Sequence, residues 1–182
     1  MRKLIAAINM TIDGFCDHTA ITPDEEIHRH YEKVLLDAGV ILYGRVTYQL
    51  MQYWQTLIEQ PSGEKSMDDF ALAIDSIPKI VFSHTLESTG WASAQLSHQS
   101  LEKTVAELKQ QPGKDILVGS RSLIIQLMQL TLIDELQLCI HPVIAGTGLP
   151  LFEDMHRRMI LTCIKTKTFD SGAVILYLNP KN

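Results

Sequence analysis

Gly39-Val40-Ile41-Leu42-Tyr43-Gly44-Arg45-Val46-Thr47-Tyr48 decides how this chain is read. The apolar run from Gly39 to Tyr43 has the composition of a strand buried on both faces. The apolar spacing after Arg45 (Leu50, Met51, Trp54, Leu57) is that of a helix. Gly44 is then the turn between them. That places Arg45, the Thr47 hydroxyl and several unpaired backbone N–H groups at a helix N-terminus, where anions are favoured. A phosphorylated ligand is expected there, although no Walker lysine motif is present.

Working outward, Lys3 to Met10 is a second continuous apolar run, the mark of a central strand. Thr11 to Ile21 is a loop carrying Asp13-Gly14. Thr22-Pro23-Asp24-Glu25 has a capping-box arrangement with Pro at the first helical position, and Ile27, Tyr31, Val34, Leu35 and Ala38 follow at helical spacing up to Gly39. Pro61-Ser62-Gly63 is a surface connection, Met67 to Ser76 a short helix, and Lys79 to Ser83 a strand. Trp91 to Leu96 suggests another short strand, and Leu101, Val105 and Leu108 a helix closed near Pro112-Gly113. Ile116-Leu117-Val118 is a buried strand, Leu123 to Leu130 a helix, and Glu135 to Ile144 a strand. Met159–Phe169 and Ala173–Leu178 flank Asp170-Ser171-Gly172 as an antiparallel hairpin. The order β-α-β-α-(α)-β-(β)-α-β-α-β-β-β predicts an α/β fold. Its sheet is mixed but mostly parallel, covered on both faces, with an antiparallel C-terminal hairpin, in a single domain over 1–182.

Composition narrows the function classes. Hydrophobic residues make up 46% and charged residues 20% of the 182, ordinary values for a globular protein. A net charge of −5 offers no general attraction to nucleic acid or an anionic membrane, so a phosphate site has to be local. No apolar stretch is long enough to span a bilayer, and too few apolar residues follow Met1-Arg2-Lys3 for a secretory signal. Cys16, Cys139 and Cys163 are odd in number and widely spaced. They indicate neither a disulfide framework nor a zinc site, and the reducing cytoplasm is the expected compartment.

Two further segments share the logic of the opening one. Ser83, His84 and Thr85 end a strand where a parallel sheet binds ligands. There Ser83 and Thr85 could bond a ribose or phosphate and His84 could stack on a base, or Ser and Thr could simply stop the strand. Gly119-Ser120-Arg121-Ser122 follows a buried strand and opens a helix. Its N–H groups could meet a pyrophosphate with added charge from Arg121, or Ser could be no more than an N-cap. Ala145-Gly146-Thr147-Gly148-Leu149-Pro150 fails as a dinucleotide fingerprint because the third Gly is absent and Pro150 interrupts the helix start. It stays open whether this loop is structural or covers a cofactor. His28 and His30 are two apart on a helix and point in different directions, so no metal site is expected. Asp13, just after a central strand, could reach a substrate or could be an Asp-Gly turn residue.

Taken in order, these segments resemble the dihydrofolate reductase-like superfamily. The nearest branch is the C-terminal reductase domain of the bifunctional riboflavin-biosynthesis deaminase-reductase, here in stand-alone form. The resemblance rests on Leu4-Ile5-Ala6-Ala7 with Asp13-Gly14, Tyr43 to Tyr48, Val81-Phe82-Ser83, Val118-Gly119, and Ile133 to Leu136 running on to Pro142 through Phe152. It implies a three-layer α/β/α sandwich with NADPH along the strands' C-terminal edge. Gly44, Arg45 and Thr47 would contact the pyrophosphate and 2′-phosphate, and Ser83 and His84 would flank the adenine ribose phosphate. Gly119, Ser120, Arg121 and Ser122 would cradle the pyrophosphate, Ala7 and Ile12 would border the nicotinamide, and Asp13 would face the substrate.

Several positions depart from the pattern. Counting back from Gly44-Arg45, the acid of true dihydrofolate reductases falls on His28. The glutamate and second glycine of the riboflavin branch are missing around Leu117-Val118-Gly119-Ser120. The resemblance implies an NADPH-dependent reductase, like dihydrofolate reductase or 5-amino-6-(5-phosphoribosylamino)uracil reductase. Its substrate would be a small pterin- or pyrimidine-like heterocycle or a carbonyl compound, with Asp13 or an ordered water as proton source. A binding module that has lost turnover is the alternative. The C-terminal hairpin could pair with a second copy as a homodimer.

Overall fold

The computed structural model describes residues 1–153, 155 and 158–181. Its strands are β1 (Leu4–Thr11), β2 (Ala38–Gly44), β3 (Lys79–Phe82), β4 (Ala94–Leu96), β5 (Asp115–Val118), β6 (Glu135–His141), β7 (Leu161–Thr168) and β8 (Val174–Pro180). The helices are α1 (Glu25–Asp37), α2 (Arg45–Met51), α3 (Tyr53–Glu59), α4 (Lys65–Ser76), α5 (Leu101–Gln110) and α6 (Arg121–Gln129). All strands join one sheet in the order β4-β3-β2-β5-β1-β6-β8-β7. β1 through β6 pair in parallel, and β8 and β7 add the antiparallel hairpin.

Strand side chains alternate between two cores, as a period of two requires. Leu4, Ala6, Val40, Leu42, Ile116, Val118, Leu136 and Leu138 face α5 and α6, meeting Val105, Ile124 and Leu127. Ala7, Ile41, Tyr43, Val81 and Leu117 face the other way, meeting Leu35 of α1, Tyr48 of α2 and Ile74 of α4. Both faces are therefore apolar, which is why these strands read as unbroken apolar runs rather than alternating ones. Leu4, Leu42, Ile116 and Leu136 are wholly buried, each contributing about 1.5–3 kcal/mol of transfer free energy.

Of the boundaries that differ from the sequence reading, four bear on the helices and strands around the site. The α1 N-cap is Asp24, whose carboxylate accepts from Ile27 N–H at 2.9 Å, so the helix starts two residues beyond the predicted Thr22 cap. Gly39 does not end that helix but lies in β2, which opens at Ala38. The helix after Arg45 is two helices meeting at Gln52. There the Tyr48 hydroxyl (2.6 Å) and the Gln52 amide (3.4 Å) both donate to the Thr89 carbonyl and pin the chain. β6 stops at His141, because Pro142 cannot donate to the ladder.

Candidate functional site

The sheet's C-terminal rim is stepped. Val118 at the end of β5 lies level with Ala6 of β1 and Leu42 of β2. β1 and β6, by contrast, run on in register to Thr11 and His141. Beyond Val118 the flank of β1 thus loses its strand partner, and a notch opens at the β5–β1 boundary. This is also where the topology switches direction, since the chain leaves β1 toward β2 and leaves β5 toward β6 on the opposite side. Crevices of this kind, outside the carboxyl ends of strands, are where open α/β sheets take ligands.

The two glycine bends predicted from sequence meet at this notch. Gly44 N–H, past the reach of the shortened β5, donates to the buried Ser120 hydroxyl at 2.9 Å. A Cβ on Gly44 would come within 3.2 Å of the Ser122 hydroxyl. One on Gly119 would lie 3.6 Å from the Ala7 carbonyl. The starts of α2 and α6 therefore lie side by side, and the orphan N–H groups of helix first turns are a favourable field for an anion.

The individual side chains divide. Arg45 is exposed at the start of α2, and among the described residues its one side-chain bond is a 3.3 Å contact to Gln49, so its guanidinium is nearly uncommitted. Thr47 is half-buried one residue past Val46. Because Gly44 pairs with Phe82, Ser83 and His84 lie beside Arg45. The Ser83 hydroxyl accepts from the Thr85 and Leu86 N–H groups (3.1 and 3.0 Å) and shapes this turn, while His84 is exposed. Ser120 turns inward to Gly44, and Ser122 is exposed. Arg121 is engaged elsewhere. It donates to the Pro150 carbonyl at 2.7 Å and pairs with Glu153, so it anchors the loop after β6.

That loop and the loop after β1 are laced together at the rim. Ile12 is exposed, its N–H bonding the Val143 carbonyl at 3.0 Å. Cys16 N–H reaches the Leu149 carbonyl and Leu151 N–H the Gly14 carbonyl, both at 2.9 Å. Asp13 accepts from the Thr11 hydroxyl (2.6 Å) and from the Gly146 (2.8 Å) and Ala145 (3.1 Å) N–H groups. The Thr11 hydroxyl first, then these amides, hold its carboxyl below the usual carboxylate range. Asp17 makes the matching clasp, accepting from Leu149 N–H at 2.6 Å. The glycine-rich segment after β6 is thus a partner for two loop carboxylates.

One cluster escaped the sequence reading. Asn9, Cys139 and His141 share the α1-facing side of β1 and β6. The Asn9 side-chain oxygen meets His141 Nε2 at 2.9 Å and the Tyr31 hydroxyl at 3.2 Å. Burial drives the Cys139 thiol up to about 12 and the Tyr31 hydroxyl well above its ordinary range. It also lowers His141, against the opposing pull of Asp24. At neutral pH the cluster is accordingly uncharged. Its one sequence signal was Asn9, a polar residue inside an otherwise apolar strand.

His28 packs on Trp54 and Phe70 (ring centroids 5.8 and 6.0 Å apart), while His30 faces Tyr31 and Phe169. The two histidines diverge as their spacing requires.

The sequence profile described as the RibD C-terminal domain matches residues 2–175. The uncharacterized protein YyaP of Bacillus subtilis (strain 168) is 35% identical over 181 residues, spanning 95% of this chain and 92% of its own. Among solved structures, a putative riboflavin biosynthesis protein from Shewanella sp. PV-4 superposes with a TM-score of 0.74 at 18% identity, over 99% of both chains. Dihydrofolate reductase from Enterococcus faecalis, complexed with NADP(H), gives 0.65 at 14% identity over 99% of this chain and 97% of that one. The diaminohydroxyphosphoribosylaminopyrimidine deaminase/5-amino-6-(5-phosphoribosylamino)uracil reductase of Thermotoga maritima also gives 0.65, at 15% identity, with 99% of this chain covering 57% of that one. At these identities the structural likenesses establish the fold.

Proposed function

This chain belongs to the RibD C-terminal domain family, and on that premise we propose that it is an NADPH-dependent reductase of a small pyrimidine- or pterin-like heterocycle. The observation that carries the reading is the notch beside β1, walled by two glycine bends that are hydrogen-bonded to each other. Its residues fit the cofactor, since Gly44 and Gly119 put no side chain at the two bends and a Cβ on Gly44 would crowd the Ser122 hydroxyl at 3.2 Å. Bound there, NADPH would supply a hydride to the substrate ring.

The chain's own groups would do the rest. The first-turn amides of α2 and α6 would receive the pyrophosphate, with the Thr47 and Ser122 hydroxyls beside them. Arg45, nearly uncommitted, would pair with the 2′-phosphate, and Ser83 and His84 would border the same group. Ala7 and Ile12 would flank the nicotinamide. Ser120 and Arg121 would act indirectly, the first by fixing Gly44 and the second by anchoring the loop after β6. Asp13, held ionised by three donors, suits fixing and orienting the substrate-facing loops, which leaves an ordered water to deliver the balancing proton. Asn9 and His141 would offer polar contacts to the heterocycle from the α1-facing side of β1.

Titration with NADPH, followed by fluorescence and by melting temperature, tests the binding. At one hundred times Kd the expected stabilisation is about 2.7 kcal/mol, or roughly 5–11 °C for a chain of this size. Absence of saturable binding refutes the proposal. Oxidation of bound NADPH by a panel of pyrimidines and pterins then tests turnover. Binding without turnover would favour the alternative, a non-catalytic nucleotide-binding module. That alternative draws on His28, half-buried against aromatic rings at the position where the resemblance puts the acid of true dihydrofolate reductases.

A further inference from the structure

Away from the rim, a groove of about 440 Å³ runs between the second half of α1 and the sheet, within the range of small-molecule sites. It lies near the opposite ends of the strands, with Ala38 and Asp115 (the first residues of β2 and β5) and Ile5 of β1 in its lining. Its floor is apolar, formed by Ile5, Leu117 and Tyr177.

Among the described residues, two polar atoms in its lining have no hydrogen-bond partner. Gln137 is 8% exposed, and its side-chain amide donates to Glu135 at 2.7 Å. That bond fixes which end of the amide is which, and leaves the buried Oε1 unbonded. His30 Nε2 is likewise buried and unbonded. A buried amide oxygen without a donor is unfavourable, and a ligand N–H or O–H reaching it would relieve that cost.

The charges around the groove are polarised. Lys33 from α1 and Lys165 and Lys167 from β7 stand at one side, and Asp37 and Asp115 at the other. Lys165 and Lys167 lie over the Tyr177 and Phe169 rings (5.0 and 4.3 Å to the centroids), and among the described residues neither is in an ion pair. With His30 neutral, three ammonium groups against two carboxylates leave one net positive charge. A monoanion matches that balance, whereas a dianionic phosphate would exceed it.

We propose that this groove is a second ligand site, separate from the rim, for a flat heteroaromatic monocarboxylate that carries a ring N–H. The carboxylate lies with Lys165 and Lys167, the ring rests on Tyr177 and Leu117, and the N–H donates to Gln137 Oε1. The site stands independently of the reductase reading, because none of the rim residues assigned to NADPH lines it.

The test is calorimetric titration with three matched probes: indole-2-carboxylate, 2-naphthoate (no N–H) and indole (no carboxylate). Each is run with and without saturating NADPH, with the His30 imidazole signals followed by NMR. Indole-2-carboxylate should bind at least about tenfold tighter than either control, shift His30 and be unaffected by NADPH. The K165M/K167M double variant, altered on a solvent-exposed strand, should weaken it at least about tenfold. Gln137→Met should reduce it to the level of 2-naphthoate. Equal affinity of all three probes, competition with NADPH, or unchanged binding in the folded lysine variant would overturn the proposal.

Discussion

Replacing Ser120 by Ala removes a single oxygen, yet it should unsettle both glycine bends. Ser120 is wholly buried, and its hydroxyl is the acceptor for Gly44 N–H at 2.9 Å. That bond exists because β5 ends at Val118, so no strand carbonyl remains beside Gly44. In the variant the Gly44 amide keeps its burial and loses its partner, at a cost of about 1–3 kcal/mol. For a chain of this length that is roughly 2–4 °C of melting temperature per kcal/mol. Urea unfolding should show a lower midpoint with an unchanged slope, and NADPH affinity should fall as the two helix N-termini lose their fixed relation. Ser122→Ala, on the exposed neighbour, is the control and should stay within about 0.5 kcal/mol of the parent. If Ser120→Ala and Ser122→Ala prove equally stable, the bends are not held by this bond and the reasoning fails.

Arg45→Ala should weaken NADPH by roughly 10- to 100-fold, the worth of a charge-assisted hydrogen bond, while NADH affinity changes little. Equal losses for both cofactors would refute the 2′-phosphate contact. Gly148→Ala should loosen the laced loops, because Gly148 has φ +145° and an added Cβ would fall 2.1 Å from the Asp17 carboxylate. The check is faster limited proteolysis between residues 143 and 151, with the rest of the chain protected. Burial, with Lys167, Lys165 and Lys33 nearby, lowers His30 from 6.5 to about 4. A base depressed in the folded state binds protons preferentially when unfolded, so stability should decline as pH falls from about 6.5 toward 4. His28 and His141, also lowered by burial, act in the same direction. His30→Gln should flatten the denaturation slope across that window, and an unchanged slope would show that His30 is already solvated.

The arrangement of elements was legible because its determinants are local. Short β-branched apolar runs such as Val40–Tyr43 and Ile116–Val118, bounded by turn residues, have the length and composition of strands covered on both sides. The sequence missed the break at Gln52, where no Pro or Gly stands, because the cause is a pair of bonds to Thr89, remote in the chain. It also placed the α1 cap on Thr22, since Thr and Asp both cap helices and only the backbone path selects between them.

The candidate site divides along the same line. Gly44, Arg45, Gly119 and Ser120 could be picked out from sequence, because a glycine between a buried strand and a helix carries its geometry with it. What each side chain does there depends on neighbours distant in sequence. Arg121, read from sequence as able to add charge at a pyrophosphate bend, donates to Pro150 and pairs with Glu153. Asp13, read from sequence either as a turn residue or, with an ordered water, as a proton source, accepts from the Ala145 and Gly146 N–H groups. Asn9, Tyr31, Cys139 and His141 came together only because β1 lies between β5 and β6 with α1 across it. Sequence alone therefore determined the strands, the bends and their order, since these follow from short-range sterics and hydrophobic periodicity. Tertiary structure decided which charges are free and which are spent, since hydrogen bonds between distant segments form only once the sheet has fixed its strand order.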